Sequence, residues 1–183
     1  MECGVSAGVE GTLGNPLTSE YRATTTFQTQ QALVRVGVSG SSNIVNALAV
    51  SCNTLFVGGS FTTVGGSTRN NIGAINLATG LETSVSMGTT GTVNAIFTNA
   101  GIVYIGGNFA NAGGQSRGNV AAIDPNTGAA TPWNPNANGQ VLALVFNGST
   151  IYAGGSFTLI GGQVRNRIAE IDLTAGNATT WNP

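Results

Sequence analysis

Three stretches of this chain are copies of one another. Residues 57–80 read VGGSFTTVGGSTRNNIGAINLATG, residues 105–128 read IGGNFANAGGQSRGNVAAIDPNTG, and residues 153–176 read AGGSFTLIGGQVRNRIAEIDLTAG. They recur every 48 residues without insertion or deletion. A fixed period of this size means stacked units, each burying its apolar face against the next. Apolar runs precede each copy at Val45–Leu48, Val93–Ile96 and Val141–Leu144. TPWNP follows the second copy and TTWNP the third, with Val85 where the others carry Trp133 and Trp181. The chain divides into an N-terminal segment, 1–43, and three units at about 44–91, 92–139 and 140–183.

Each unit reads as strands. In the third, QVLALVF, STIYAGGSF, RIAEIDL and NATTWNP are short apolar, β-branched or aromatic runs bounded by Gly, Asn, Ser or Pro. No eleven-residue window keeps a helical apolar spacing without a glycine breaking it. Four antiparallel strands in 48 residues have the length and content of a propeller blade. The expected fold class is therefore all-β, with β-propeller-type blades of four antiparallel strands and an N-terminal strand segment.

The glycine pairs follow from that expectation. Gly58-Gly59, Gly106-Gly107 and Gly154-Gly155 fall near the end of the second strand, where glycine marks a bulge or a close backbone approach. A side chain there would collide with the next blade. Gly65-Gly66, Gly113-Gly114 and Gly161-Gly162 lie in the following connection and suit positive φ in a turn. A phosphate cradle is disfavoured: the copies lack G-x-G-x-x-G and G-K-[ST], and no helix follows to supply a dipole.

The pattern Y-x-G-G-x-F-x-x-x-G-G-x-x-R-x-x-I-A-x-x-D-x-x-x-G…W-N-P resembles the delta-60 repeat, a bacterial β-propeller repeat filed as a domain of unknown function. The third copy carries the resemblance most fully, through Tyr152, Gly154, Gly155, Phe157, Gly161, Gly162, Arg165, Ile168, Ala169, Asp172, Gly176, Trp181, Asn182 and Pro183. The first departs at Phe56, Asn76, Val85 and Met87. Kelch blades are similar more distantly. The resemblance implies propeller blades in large, mostly secreted or surface-attached proteins, and no catalytic residues.

Composition narrows the function. Charged residues make up 7% of the chain against about 25% in an ordinary soluble domain, and the net charge is −1. Nothing supplies the basic stripe that a nucleic-acid backbone requires. The longest strongly apolar run, Val141–Phe146, is too short to span a bilayer. The first residues show neither the basic segment nor the apolar core of a signal peptide. The expectation is that a signal peptide has been removed or that the chain is part of something longer. Cys3 and Cys52 occupy unrelated repeat positions, so no disulfide framework is indicated.

Catalysis has little to draw on. With no His, the usual general base and commonest metal ligand are missing. Glu170 and Asp172 point to one side of a strand, but the other copies have no second acid there. Neither an enzyme nor a cofactor is expected. Asp124 and Asn126 in DPNTG resemble the start of a calcium loop, yet calcium needs six to eight oxygens. An Asp capping its own turn suffices.

The remaining repeated residues read as structural. Phe61, Phe109 and Phe157 suit blade-to-blade core. Arg69, Arg117 and Arg165 recur without exception. A guanidinium can tie several turn carbonyls together. Ion pairing of Arg117 with Asp124 and of Arg165 with Asp172 leaves the first copy, with Asn76, unexplained. Trp133 and Trp181 suit packing between blades; stacking on a sugar is the functional alternative.

Propellers close with 4–8 blades, so three copies do not close a ring. Tyr21–Thr29 and Ala32–Val38 read as two further strands. They complete a degenerate fourth blade or add to a neighbouring molecule, with Ala32, Val34, Val36 and Val38 as the candidate assembly strand. Otherwise the chain is an arc of a longer propeller. The expected protein is an extracellular or cell-surface structural or interaction module. Its partners are copies of itself or further blades. A carbohydrate-binding module is the alternative.

Overall fold

A computed structural model describes Val38, Ser39 and residues 44–183. These residues form sixteen strands and no helix. β1 (Val38–Ser39) belongs to the N-terminal segment, and the first unit holds β2 (Ile44–Ser51), β3 (Thr54–Ser60), β4 (Thr63–Val64), β5 (Ser67–Thr68) and β6 (Ile72–Asn76). The second holds β7 (Thr92–Asn99), β8 (Ile102–Asn108), β9 (Asn111–Ala112), β10 (Gln115–Ser116) and β11 (Val120–Ile123). The third holds β12 (Val141–Phe146), β13 (Thr150–Gly155), β14 (Leu159–Ile160), β15 (Gln163–Val164) and β16 (Ile168–Asp172).

Three three-stranded antiparallel sheets form the blades, β2-β3-β6, β7-β8-β11 and β12-β13-β16, and β1 adds a third strand to the β4-β5 hairpin. In each blade, the second strand connects to the third through a two-residue hairpin: β4-β5, β9-β10 or β14-β15. The fourth run pairs through single bridges, Ile75 with Glu82, Ile123 with Ala130 and Ile171 with Ala178. It then leaves the sheet. In the second unit Pro132 and Pro135 follow the bridge, and proline has no N–H for a ladder.

The first strands of successive sheets pack on one another, β2 on β7 and β7 on β12. The sheets are therefore blades laid face to face, and the core lies in the seams. One cluster joins Phe56 and Ile72 of the first blade to Val93, Ile105 and Phe109 of the second. Another joins Tyr104, Val120 and Trp133 to Val141, Ile151 and Phe157. Phe61 is buried within the first blade with Val57, Val64 and Ile75. Burial of each of these Phe side chains stabilises the fold by about 1.5–3 kcal/mol.

Of the expected N-terminal strands, Tyr21–Thr29 and Ala32, Val34 and Val36 lie outside the described residues. Val38 pairs within the chain: β1 runs antiparallel to β4, with Val38 opposite Val64 and Ser39 opposite Thr63. Cys52 is disulfide-bonded, which departs from the expectation drawn from repeat position. A crosslink outside the repeated pattern leaves no trace in the 48-residue period.

Candidate functional site: the blade seams and their uncovered ends

The two glycines of each pair do different things. A Cβ on Gly58 would lie 2.6 Å from Val93 Cγ1 and 2.6 Å from Ile96 Cδ1, both in the next blade. At Gly106 the same atom would lie 2.6 Å from Val141 Cγ1 and 3.2 Å from Leu144 Cδ1. The first glycine is thus a seat for the following blade. The second answers to its own sheet. A Cβ would fall 1.9 Å from Ile44 O at Gly59, 2.0 Å from Thr92 O at Gly107 and 2.1 Å from Gln140 O at Gly155. Those carbonyls adjoin the register shifts at Val45/Ala47, Val93/Ala95 and Val141/Ala143, so only glycine fits opposite the bulge. Gly65-Gly66, Gly113-Gly114 and Gly161-Gly162 all adopt positive φ, between 52° and 90°.

The three arginines make one arrangement. Arg69 donates from Nη1 to Thr68 O at 2.7 Å and from Nη2 to Thr83 O at 2.7 Å. Arg117 reaches Ser116 O at 2.8 Å and Thr131 O at 2.7 Å. Arg165 reaches Val164 O at 2.9 Å and Thr179 O at 2.6 Å. Each guanidinium ties the hairpin to the departing fourth run. Arg69 adds an ion pair to Glu82 at 2.8 Å. Neither Asp124 nor Asp172 is ion-paired to its arginine; their carboxylates are spent on their own turns. Asp124 Oδ1 accepts from the Asn126 backbone N–H at 2.8 Å and its side-chain Nδ2 at 3.0 Å. Asp172 accepts four backbone N–H bonds, from Thr174, Ala175, Gly176 and Asn177. Burial pushes the Asp172 carboxyl up, and these four bonds outweigh it, leaving it below its ordinary range. Asn76 accepts from Ala78 and Thr79 in the same way.

Glu170 is a bonded strand residue. Its carboxylate accepts hydroxyls from Thr179 at 2.6 Å, Thr150 at 2.8 Å and Tyr152 at 2.9 Å. The Thr179 bond first, then those of Thr150 and Tyr152, hold it below its ordinary range. The bond to Glu170 in turn raises Tyr152.

Trp133 fills the seam between the second and third blades. It is 4% exposed, meets Tyr104 edge-on with centroids 5.2 Å apart, and donates from Nε1 to Asp172 O of the third blade at 2.8 Å. Beside it Phe97, stacked on Tyr104, also stacks on Phe146 of the third blade, with centroids 5.9 Å apart. Trp181 keeps the edge contact, to Tyr152 at 5.3 Å. With no blade beyond it among the described residues, Trp181 is 37% exposed.

Four asparagines at two repeat positions also stitch the seams. Asn46 donates from Nδ2 to Val93 O and Asn94 to Val141 O, each at 3.1 Å. Asn71 and Asn119, both at positive φ, donate to Thr89 O at 3.2 Å and Ala137 O at 2.9 Å in the links to the next blade. Their recurrence at 48 residues was the available signal. The third copy has Leu142 and Arg167 at these positions, both exposed.

The end faces differ from the seams only in part: Val57, Phe61, Val64 and Ile75 of the first blade are buried like their seam equivalents Ile105, Phe109, Ala112 and Ile123, whereas the first strand is not. Val45 is 41% exposed, whereas its equivalents Val93 and Val141 are fully buried. Leu48 and Val50 are exposed beside it. On the third blade, a Cβ on Gly154 would meet nothing closer than 4.0 Å. Leu142, Leu159 and Val164 are exposed there, where the other copies carry Asn46 and Asn94, Thr63 and Asn111, and Thr68 and Ser116. Among the described residues no group of three or more His, Cys, Asp or Glu is placed to hold a metal ion.

A family model for a β-propeller domain of unknown function (DUF5122) matches residues 53–72 and 150–174, which are corresponding parts of the first and third blades. No curated protein matches. Among solved structures, the computationally designed Ika4 protein superposes with a TM-score of 0.52 at 20% identity, over 78% of this chain and 74% of that one. The designed Ika8 protein gives 0.51 at 21% identity, over 77% and 37%. The Neurospora crassa Pan2 WD40 domain gives 0.50 at 15% identity, over 76% and 40%. The chain thus spans well under half of the last two. These likenesses establish the fold: the chain is built of β-propeller repeats.

Proposed function

We propose that this protein is a non-enzymatic interaction module, working outside the cell or at its surface, that assembles head to tail through its two end blades. The observation that carries this reading is the match between the empty seat at Gly154 and the exposed Val45 and Leu48. Inside the chain, Gly58 seats Val93 and Ile96, and Gly106 seats Val141 and Leu144. By the same register, Gly154 of one copy seats Val45 and Leu48 of another. Val145 and Val50 then meet as Phe97 and Phe146 do. Such a contact is heterologous, giving a ring if the rotation closes and a filament if it does not. The aliphatic residues at Leu142, Leu159 and Val164 favour a covered third blade over a solvated one. A chain with 7% charged residues has little with which to protect open edges. The external location rests on the resemblance to surface propeller repeats.

Oxidative crosslinking tests it. Chains carrying Val50→Cys and chains carrying Val145→Cys should form mixed dimers when combined, and neither should crosslink alone as readily. Failure of the mixture to crosslink contradicts head-to-tail assembly. The carbohydrate-binding reading falls to Trp181, since both faces of Trp133 are enclosed in its seam; a glycan array on Trp181→Ala tests it.

A further inference from the structure

The two seams are built on one plan but filled differently. In the second seam, Trp133 stands between blades beside Tyr104, with Phe97 and Phe146 stacked next to it. In the first, the corresponding residues are Val85, Phe56, Ala49 and Thr98. One indole and two phenyl rings have become Val, Ala and Thr. The blades have not closed over the loss. A cleft of about 650 Å³ opens there, walled by Phe56, Ala74, Val85, Ile102 and Val103, with Thr98 at its side. Its volume is that of a small-ligand pocket, about 300–1,000 Å³.

We propose that this cleft binds a small planar aromatic heterocycle bearing an N–H donor, of the indole class. The second seam shows what the site accepts, because Trp133 occupies the equivalent space. Its ring lies against an aromatic edge, and its Nε1 donates to Asp172 O. The equivalent carbonyl in the first seam is that of Asp124, which immediately precedes the lining residues Pro125 and Asn126. It carries one bond, from Gly128 N at 2.8 Å, and a carbonyl oxygen has a second lone pair. Phe56 and Val103 supply apolar faces. Thr54, Thr83 and Asn126 at the margin supply polar groups that orient a bound ring. Among the described residues the cleft lining carries no ionisable side chain, which favours a neutral ligand.

The test is titration of indole into the full, oxidised chain, with Cys52 at the rim kept in its disulfide. Saturable one-site binding is expected. 1-Methylindole, which lacks the donor, should bind about tenfold more weakly. Val85→Trp should fill the cleft, abolish binding and raise the melting temperature. Thr98→Phe restores the ring from the other blade and should abolish binding as well, should Val85→Trp not fold. The proposal is overturned if the unaltered chain shows no saturable binding, or if either folded variant binds indole as the parent does. Equal affinity for indole and 1-methylindole overturns the assignment of the N–H donor.

Discussion

Gly106 and Val141 stand 35 positions apart in the chain, yet a single added carbon on the glycine would come within 2.6 Å of the valine Cγ1. The second blade is held against the third by what Gly106 lacks. Gly106→Ala should destabilise the chain by about 1–3 kcal/mol through overpacking. Gly154→Ala, with nothing closer than 4.0 Å, should leave the melting of the isolated chain unchanged or slightly raised. Thermal melts at low concentration compare the two. Equal losses would contradict the division between a filled and an empty seat.

Arg117→Lys should cost about 1.5–3 kcal/mol, since an ammonium does not fork to Ser116 O and Thr131 O together. Denaturant melts read this directly. Melting at the parent midpoint would show that the brace is dispensable.

The two tryptophans should separate. Trp133→Phe removes the donor to Asp172 O and leaves that carbonyl short of a partner in a buried seam, at a cost of about 1–3 kcal/mol. Trp181→Phe should change the isolated chain by less than about 0.5 kcal/mol. Equal effects would mean that Trp133 gains nothing from the third blade.

Acid should loosen the third blade. Glu170 and Asp172 both have folded-state pKa values below the ordinary range of their carboxyl groups. Groups depressed in this way add stability that is complete above that range and is lost as pH falls through their folded values. Asp172→Asn imitates Asn76 of the first blade and keeps the turn, and Glu170→Gln removes the other charge. The double variant should have a flatter acid limb in a stability profile from neutral pH to about pH 2. An acid limb as steep as the parent's would contradict the assignment.

Much of this was legible in the sequence, because repetition isolates what each blade needs. The 48-residue period exposed the glycine pairs, the arginines and the strand order. The three arginines reach the same two carbonyls in every copy, as a residue kept without its carboxylate should. Other features required the structure. The glycines of a pair look alike in sequence, and only the bulge tells the seat from the backbone contact. Glu82, the partner of Arg69, escaped notice because it lies outside the position of Asp124 and Asp172. Val85 was visible as a departure, but the space it leaves depends on Ala49 in its own blade and on Thr98 across the seam.

Head-to-tail assembly is the claim on which the functional reading stands, and the mass of the native particle in solution, followed over a dilution series, tests it most directly. The parent chain should run as a multiple of its monomer mass. Gly154→Leu, which fills the empty seat, should run as a monomer with its β-sheet circular dichroism intact. A parent chain that is monomeric at every concentration, or a Gly154→Leu variant that assembles as the parent does, would contradict the account.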